Sequence, residues 1–409
     1  MDELTSLGLI LLLALLAGHL VKVIRVPEVT GYILAGVVLG PSVLGWLSHE
    51  NLIAIGVLSE VALGLILFSV GSVFEFSLFR RIGRQVLFVT LVESALAAAA
   101  VTAGMLALGQ PWEVAFLLGA VAIATAPAST LMVIRECDSE GPLTDNLLGI
   151  IAINNLLCIT AYSLVAATID LTSSLTGAAS VLDTLYRSSF MLFWQIVGSA
   201  ALGYLVGALL AAWSTHVTES GEMLILLAGS ILLSVGIARL LDLSALIASL
   251  AVGATMVNLA DRSKPLFETL AGTDPPFYAI FFVLAGAELD LRLVTSIGSL
   301  GLVYLFGRAA GKFAGAGIAA RWLGLEPSVQ KYLGFALLAQ AGLAVGLTLA
   351  INSRYEMWAP IVSTVVLGSV AVSEVIGPVS ARFALVRAGE AGRAPGGAPM
   401  VTGSRIAPV

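Results

Sequence analysis

Residues 112–134 read WEVAFLLGAVAIATAPASTLMVI, and residues 330–352 read QKYLGFALLAQAGLAVGLTLAIN. Each is about the length of a bilayer crossing, which takes roughly 20 mostly apolar residues. Each is also interrupted near its middle, the first at Thr125-Ala126-Pro127 and the second at Gln340-Ala341-Gly342. Pro127 removes a backbone donor and frees carbonyls one turn earlier. In hydrocarbon every N–H and C=O needs a partner, so a broken helix persists only where it lines a cavity or a site. A simple proline kink would account for the first break alone. The matching break in the second segment argues for two interrupted helices that meet near the midplane and offer helix ends and unpaired backbone groups to a substrate.

The same spacing recurs in the flanking segments. Pro127 and Gly342 lie 215 positions apart, as do the intramembrane acid Glu93 and the intramembrane base Arg308, while LAGVVLG at 34–40 and IASLAVG at 247–253 are offset by 213. The members of each pair lie seven helices apart, an odd number, so the two halves run in opposite directions. Inverted repeats with broken helices in corresponding positions are a signature of secondary transporters. Chance alignment of small-residue runs is the competing reading, and it weakens as pairs accumulate near one offset.

Composition sets the class. Of 409 residues, 58% are hydrophobic and 11% are charged, less than half the roughly 25% charge of a soluble domain. Mean hydropathy is +1.01. The chain is therefore read as an all-α polytopic membrane protein and not a soluble enzyme. Two cysteines (Cys137, Cys158) and three scattered histidines give neither a disulfide framework nor a metal-ligand spacing, so no cofactor and no resident metal are expected. A net charge of −6 leaves no basic footprint for nucleic acid.

Thirteen spans are expected, at about 4–23, 30–47, 52–73, 85–109, 112–134, 143–169, 188–213, 221–239, 243–260, 276–288, 296–323, 330–352 and 357–383. With the N-terminus outside, alternating sides place 14 Lys and Arg inside, 4 outside (Arg187, Arg239, Arg292, Arg354) and 2 within a span (Arg308, Lys312), accounting for all 20. A mis-split helix would scramble every later loop, so this bias supports the count, an outer N-terminus and a cytoplasmic C-terminus. The transmembrane domain is expected over 1–387, with repeats at about 25–170 and 240–385. The Gly/Pro/Ala-rich 388–409 is expected to be a disordered cytoplasmic tail.

Six stretches in order carry a resemblance: RVPEVTGYILAGVVLGP (25–41), ATAPASTLMVIRE (124–136), FFVLAGAELDL (281–291), GRAAGKFAGA (307–316), LGFALLAQAGLAVGL (333–347) and SEVIGP (373–378). They resemble the monovalent cation/proton antiporter superfamily, sodium/hydrogen exchanger type. The resemblance runs from about residue 5 to 387. It implies an inverted-repeat fold with two crossing broken helices, a homodimer in the cell (inner) membrane, and alternating-access exchange of sodium or potassium for protons.

The chain departs from that pattern where it matters for ions. After the broken helix the family carries Asp-Asp or Asn-Asp, whose second aspartate is taken as the carrier; here LLGIIAINNLLCI (147–159) has Asn154-Asn155. Asp145 lies nine residues earlier, about 13–14 Å along a helix, and reads as a first-turn carboxylate favoured by the helix N-terminus. Oxygens for an ion remain on Asn154, Asn155, Thr125, Ser129, Thr130 and Gln340, but amides do not titrate. The charges expected in the core, Glu93, Arg308 and Lys312, sum to +1. At an effective dielectric of about 20, a unit charge 8 Å from a sodium ion repels it by about 2 kcal/mol. Matched repeat positions suggest a Glu93–Arg308 pair, either a static brace or part of a proton path. Arg308 stays protonated, which leaves Glu93 or Lys312 as the titrating group, unless Lys312 snorkels to the interface.

Glu374, three residues before Gly377-Pro378, is expected to hydrogen-bond irregular backbone near a helix end, and Glu60 to reach water or a serine. Gly307, Gly311 and Gly315, spaced by four, are expected to allow close helix packing. Two alternatives to exchange stay open: a uniporter or anion or solute carrier on the same scaffold, and a non-transporting membrane sensor subunit.

Overall fold

The computed structural model describes residues 3–71, 74, 76–175, 190, 193–217, 219–260, 275–296 and 298–393. Sixteen α-helices are found among them: α1 (Glu3–Val23), α2 (Glu28–Leu39), α3 (His49–Gly71), α4 (Phe76–Ala107), α5 (Trp112–Ala122), α6 (Pro127–Glu136), α7 (Pro142–Leu175), α8 (Ser199–Ser214), α9 (Ser220–Leu240), α10 (Ala245–Leu259), α11 (Pro275–Ala287), α12 (Leu291–Ser296), α13 (Gly298–Trp322), α14 (Pro327–Ala336), α15 (Gly342–Arg354) and α16 (Ala359–Ala388). No strand occurs among the described residues. A short π-helical turn, Trp194–Gly198, leads into α8.

Eight helical paths are long and apolar enough to cross a bilayer, counting α5 and α6 as one, and four shorter apolar helices accompany them. α13 is too rich in cations to qualify by composition, yet its Arg308 and Lys312 are buried in protein, as the cost of charge in lipid demands. This is a multi-pass membrane fold. Much of the expected tail, 394–409, lies outside the described residues, as do 261–274 with Arg262 and Lys264.

Glycine sets how closely the helices approach. On α13, a methyl at Gly311 would overlap the backbone of Ala97 on α4, and one at Gly315 would overlap the backbone of Glu93. The four-residue spacing of these glycines puts them on one stripe, and the two helices lie backbone to backbone along it, as the sequence suggested.

Two other contacts form a matched set. A methyl at Gly36 of α2 would strike the carbonyl of Val283 on α11, and one at Gly286 of α11 would strike that of Ile33 on α2. Likewise, Gly71 of α3 faces the carbonyl of Leu250 on α10, and Gly253 of α10 faces that of Phe68 on α3. Without a hydrophobic force between helices in lipid, such close van der Waals contact carries the association.

α5 and α6 are one broken span and α14 and α15 the other. Residues 123–126 and 337–341 are the non-helical junctions. Pro127 opens α6 at a first-turn position, where a missing N–H costs no helical bond. The proline starts a new helix here; it does not bend an old one. The two junctions touch directly: Ala126 N–H donates to the carbonyl of Ala339 at 3.0 Å.

Candidate functional site

At the crossing, the C-terminal ends of α5 and α14 come together, and each carries carbonyls that lack helical donors. One side chain serves both. Arg308 donates from Nε to Ala122 O (3.1 Å) and from one terminal nitrogen to Ala124 O (2.7 Å) and Ala339 O (3.1 Å); the other terminal nitrogen reaches Leu338 O (2.7 Å). A cation at a helix C-terminus is favoured by the macrodipole, worth about half an elementary charge per end. Two C-terminal ends therefore share one guanidinium.

Lys312 follows Arg308 by one turn on the same face. It is fully buried, and its ammonium lies 2.9 Å from Glu93 Oε2. The other two ammonium protons go to Ile123 O and Thr125 Oγ1, both at 3.0 Å. Glu93 Oε1 in turn accepts from Asn154 Nδ2 and from Ser94 Oγ at 3.2 Å, and Asn154 Nδ2 also reaches Ser94 Oγ at 3.1 Å. The acid pairs with Lys312 and not with Arg308. The expectation from matched repeat positions was one helical turn off, because Arg308 is held by the junction carbonyls. Lys312 does not snorkel.

Two of the three core charges meet each other: Glu93 pairs with Lys312, while Arg308 is held by the carbonyls of the two C-terminal half-helix ends.

The oxygen donors divide in two. Thr125 is engaged by Lys312, and Thr130 Oγ1 donates to Ala126 O at 2.9 Å. By contrast, Asn154 Oδ1, Asn155 Oδ1, Ser129 Oγ and Gln340 Oε1 are buried and without hydrogen-bond partners. Gln340 is oriented by its amide nitrogen, which donates to Val121 O (3.0 Å) and Tyr304 OH (2.8 Å). Buried polar atoms are nearly always satisfied, so the four orphan oxygens on α6, α7 and the second junction are candidate ligand donors. Cys158 ties α7 to α5 through Ala120 O at 3.3 Å.

A cavity of about 250 Å³ lies beside this centre, lined by Glu60, Leu63, Val235, Arg239, Ser249 and Gly342 among others. It reaches the first residue of α15, at the second junction. Glu60 forms an ion pair with Arg239 there, and the serine or water partner expected from sequence is replaced by this arginine. Asp145 falls in the first turn of α7, as expected.

Two acids were not legible in advance. Glu374 is 2% exposed, lies in the middle of α16, and neither carboxylate oxygen has a partner; the backbone bonds expected of it near a helix end are not made. Glu390, just past α16, is buried and caps α7, accepting from the N–H groups of Leu143 (2.7 Å) and Thr144 (2.8 Å) and from the Thr144 hydroxyl (2.7 Å). Its only sequence signal is a carboxylate in a Gly/Ala-rich stretch, which reads as linker.

Comparison with known proteins agrees with this architecture. The family model described as sodium/hydrogen exchanger, transmembrane, matches residues 8–387. The ammonium/H(+) antiporter subunit AmhT of Alkalihalophilus pseudofirmus is 25% identical over 86% of this chain and 89% of its own length. The Na(+)/H(+) antiporter of Enterococcus hirae is 25% identical over 77% and 82%. The iron transporter MagA of Paramagnetospirillum magneticum is 27% identical over 74% and 69%. In fold, the chain is similar to the sodium proton antiporter MjNhaP1 of Methanocaldococcus jannaschii, with a TM-score of 0.66, 18% identity, and 95% and 96% of the two chains covered. The chain belongs to the sodium/hydrogen exchanger family and is a cation/proton antiporter on an all-helical membrane fold.

Proposed function

We propose that this antiporter exchanges one small monovalent cation, sodium, potassium or ammonium, for the proton of Lys312. The observation that carries the reading is the Glu93–Lys312 pair, fully buried and braced by Asn154. A buried carboxylate needs a positive partner, and here the partner is an ammonium that can lose its charge. When Lys312 gives its proton to water, Glu93 is left to hold a metal or ammonium cation in its place. Asn154 Oδ1, Asn155 Oδ1, Ser129 Oγ and Gln340 Oε1 supply neutral oxygens to complete the shell. Cation and proton then compete for one negative charge, which is the condition for exchange. The family's aspartate is not needed for this scheme, because Glu93 provides the charge that Asn154-Asn155 do not.

The cavity beside Glu60 and Arg239 is the route from one face to the junctions, and alternating access closes it while opening the other face. Two inverted repeats, about 25–170 and 240–385, are supported by the matched glycine contacts: Gly36 against α11 and Gly253 against α3 are separated by 217 positions, and Gly71 and Gly286 by 215. Thirteen crossings, an outer N-terminus, a cytoplasmic C-terminus, the inner membrane and a homodimer complete the reading, supported by the charge bias and the resemblance.

The test is dissipation of a pH gradient in proteoliposomes on adding sodium, lithium, potassium or ammonium. The native chain is expected to respond to at least one cation, and Lys312→Gln to lose at least tenfold of the coupled rate. A native response that Lys312→Gln leaves intact would refute the role given to Lys312. Silence of a correctly folded native protein toward all four cations would refute the exchange itself.

A further inference from the structure

The last long helix carries a polar group that the exchange scheme above does not use. Glu374 sits 15 residues from the start of α16 and 14 from its end, in the middle of that helix. It is 2% exposed, and both its oxygens lack a hydrogen-bond partner. Pro378 lies four residues on, inside the same helix. Having no N–H, it leaves the carbonyl of Glu374 without its helical donor. One residue thus carries two side-chain oxygens without a hydrogen-bond partner and a main-chain carbonyl without its helical donor.

That place adjoins the crossing. Gly377 shares a helix face with Glu374 and is seated on Ala339, where a methyl would overlap the Ala339 backbone. Ala339 is the residue whose carbonyl receives Ala126 N–H and Arg308. Glu374 is therefore about one turn of α16, roughly 5 Å of rise, from the second junction.

Cations on the helices around α16 are engaged by other groups, Lys331 of α14 lying over the ring of Tyr332 and Arg292 of α12 pairing with Asp290. Lys312 of α13 is on Glu93, Arg308 of α13 is on the junction carbonyls, and Arg354 of α15 is on Asp170 of α7. Glu136 of α6 takes Arg382 of α16 itself, Lys22 takes Glu28 of α2, and Arg135 of α6 lies over the ring of Tyr278. No hydrogen-bond donor among the described residues reaches either Glu374 carboxylate oxygen. An ionised carboxylate buried without any partner costs several kcal/mol, so such a group is neutralised either by a proton or by a bound cation.

We propose that Glu374 is a second exchange site of the core, holding a proton in the conformation seen and a small monovalent cation in its place when water reaches it. The Glu374 carboxylate and its own freed carbonyl are the cation's ligands. The step is a simple replacement: the carboxyl O–H proton leaves to water as the cation arrives, and the site stays neutral in both forms. The proposal rests on the exchange reading above but concerns a different residue. It gives the chain two titrating positions.

The experiment is infrared difference spectroscopy on purified, full-length protein in lipid, titrated with sodium, potassium or ammonium chloride at fixed pH and then with pH at fixed salt. A protonated-carboxyl band is expected that shrinks on cation addition and is missing in Glu374→Gln, while Glu93→Gln retains it. Pro378→Ala, which restores the donor to the Glu374 carbonyl, is expected to keep the band but to need at least about fivefold more cation to shrink it. A band unaffected by Glu374→Gln, or one that no cation diminishes, would overturn the proposal. Should Glu374→Gln fold poorly, Pro378→Ala decides alone, since an unchanged cation requirement also overturns it. Because the band is read without transport, a native protein that moves no protons would sink the exchange scheme and leave this result standing.

Discussion

Glu93 and Glu374 are two carboxylates buried to nearly the same degree in one helical core, and their surroundings differ in every respect. Glu93 is met by an ammonium, an amide and a hydroxyl, each brought to it by a helix packed against α4 or by α4 itself. Glu374 is met by no hydrogen-bond donor and lies one turn before the Pro378 break in its own helix. Burial alone therefore does not assign charge. With partners in place the acid is paired and holds its neighbours; without them, on the proposal above, it holds a proton or a cation of its own.

The contrast fails most visibly, if it fails, when a partner is removed. Lys312→Met leaves Glu93 charged and alone, and loss of one member of a buried pair costs about 3–5 kcal/mol. Glu374→Gln exchanges one neutral group for another and is expected to shift stability by less than about 1 kcal/mol. Chemical denaturation in matched detergent should show this order; equal losses would mean that Glu374 is ionised after all. A smaller effect is expected of Gly315→Val, which forces α13 away from the backbone of Glu93. Overpacking of this kind costs about 1–3 kcal/mol, and it should lower the coupled rate through Glu93 while sparing the infrared band of Glu374.

A further modest effect concerns a third acid. Glu390 is as buried as the other two but is satisfied by backbone N–H groups at the start of α7. Glu390→Gln should cost about 1 kcal/mol, the scale of a helix cap. Its neighbour Cys137 reports the same contact, since Gly392 N–H donates to the Cys137 carbonyl at 2.8 Å. Burial pushes the Cys137 thiol up to about 11, so at a pH of about 8 it stays protonated and alkylates slowly, the thiolate being the nucleophile. Glu390→Gln is expected to speed that alkylation, and an unchanged rate would show that the segment stays docked without its carboxylate.

Legibility in the sequence followed one rule: patterns along a helix were readable and pairings between helices were not. Thr125-Ala126-Pro127 and Gln340-Ala341-Gly342 announced the junctions because a paired backbone break in apolar sequence has few causes besides a site. Gly311 and Gly315 announced a close seam by their spacing. The partner of Glu93 was out of reach, because Arg308 and Lys312 occupy the same face one turn apart and an offset between repeats cannot tell them apart. Only the junction carbonyls, which draw Arg308 away, decide it. Glu374 was misjudged since the turn that looks like a helix end, Gly377-Pro378, lies inside a helix of 30 residues. Glu390 was missed because its partner is a helix start 246 positions away, in a stretch whose composition reads as linker.

The guanidinium of Arg308 also bears on how fast this molecule can work. Its bonds fall on both broken helices at once, so neither can fray or rotate independently without losing donors that hydrocarbon cannot replace. Rapid flickering of a single half-helix, the nanosecond motion of an ordinary loop, is closed to the crossing. What remains is displacement of the whole cross as one body, which belongs to the microsecond-to-millisecond range of collective domain motion. Transport that needs the crossing to move is accordingly expected on the timescale of that collective displacement.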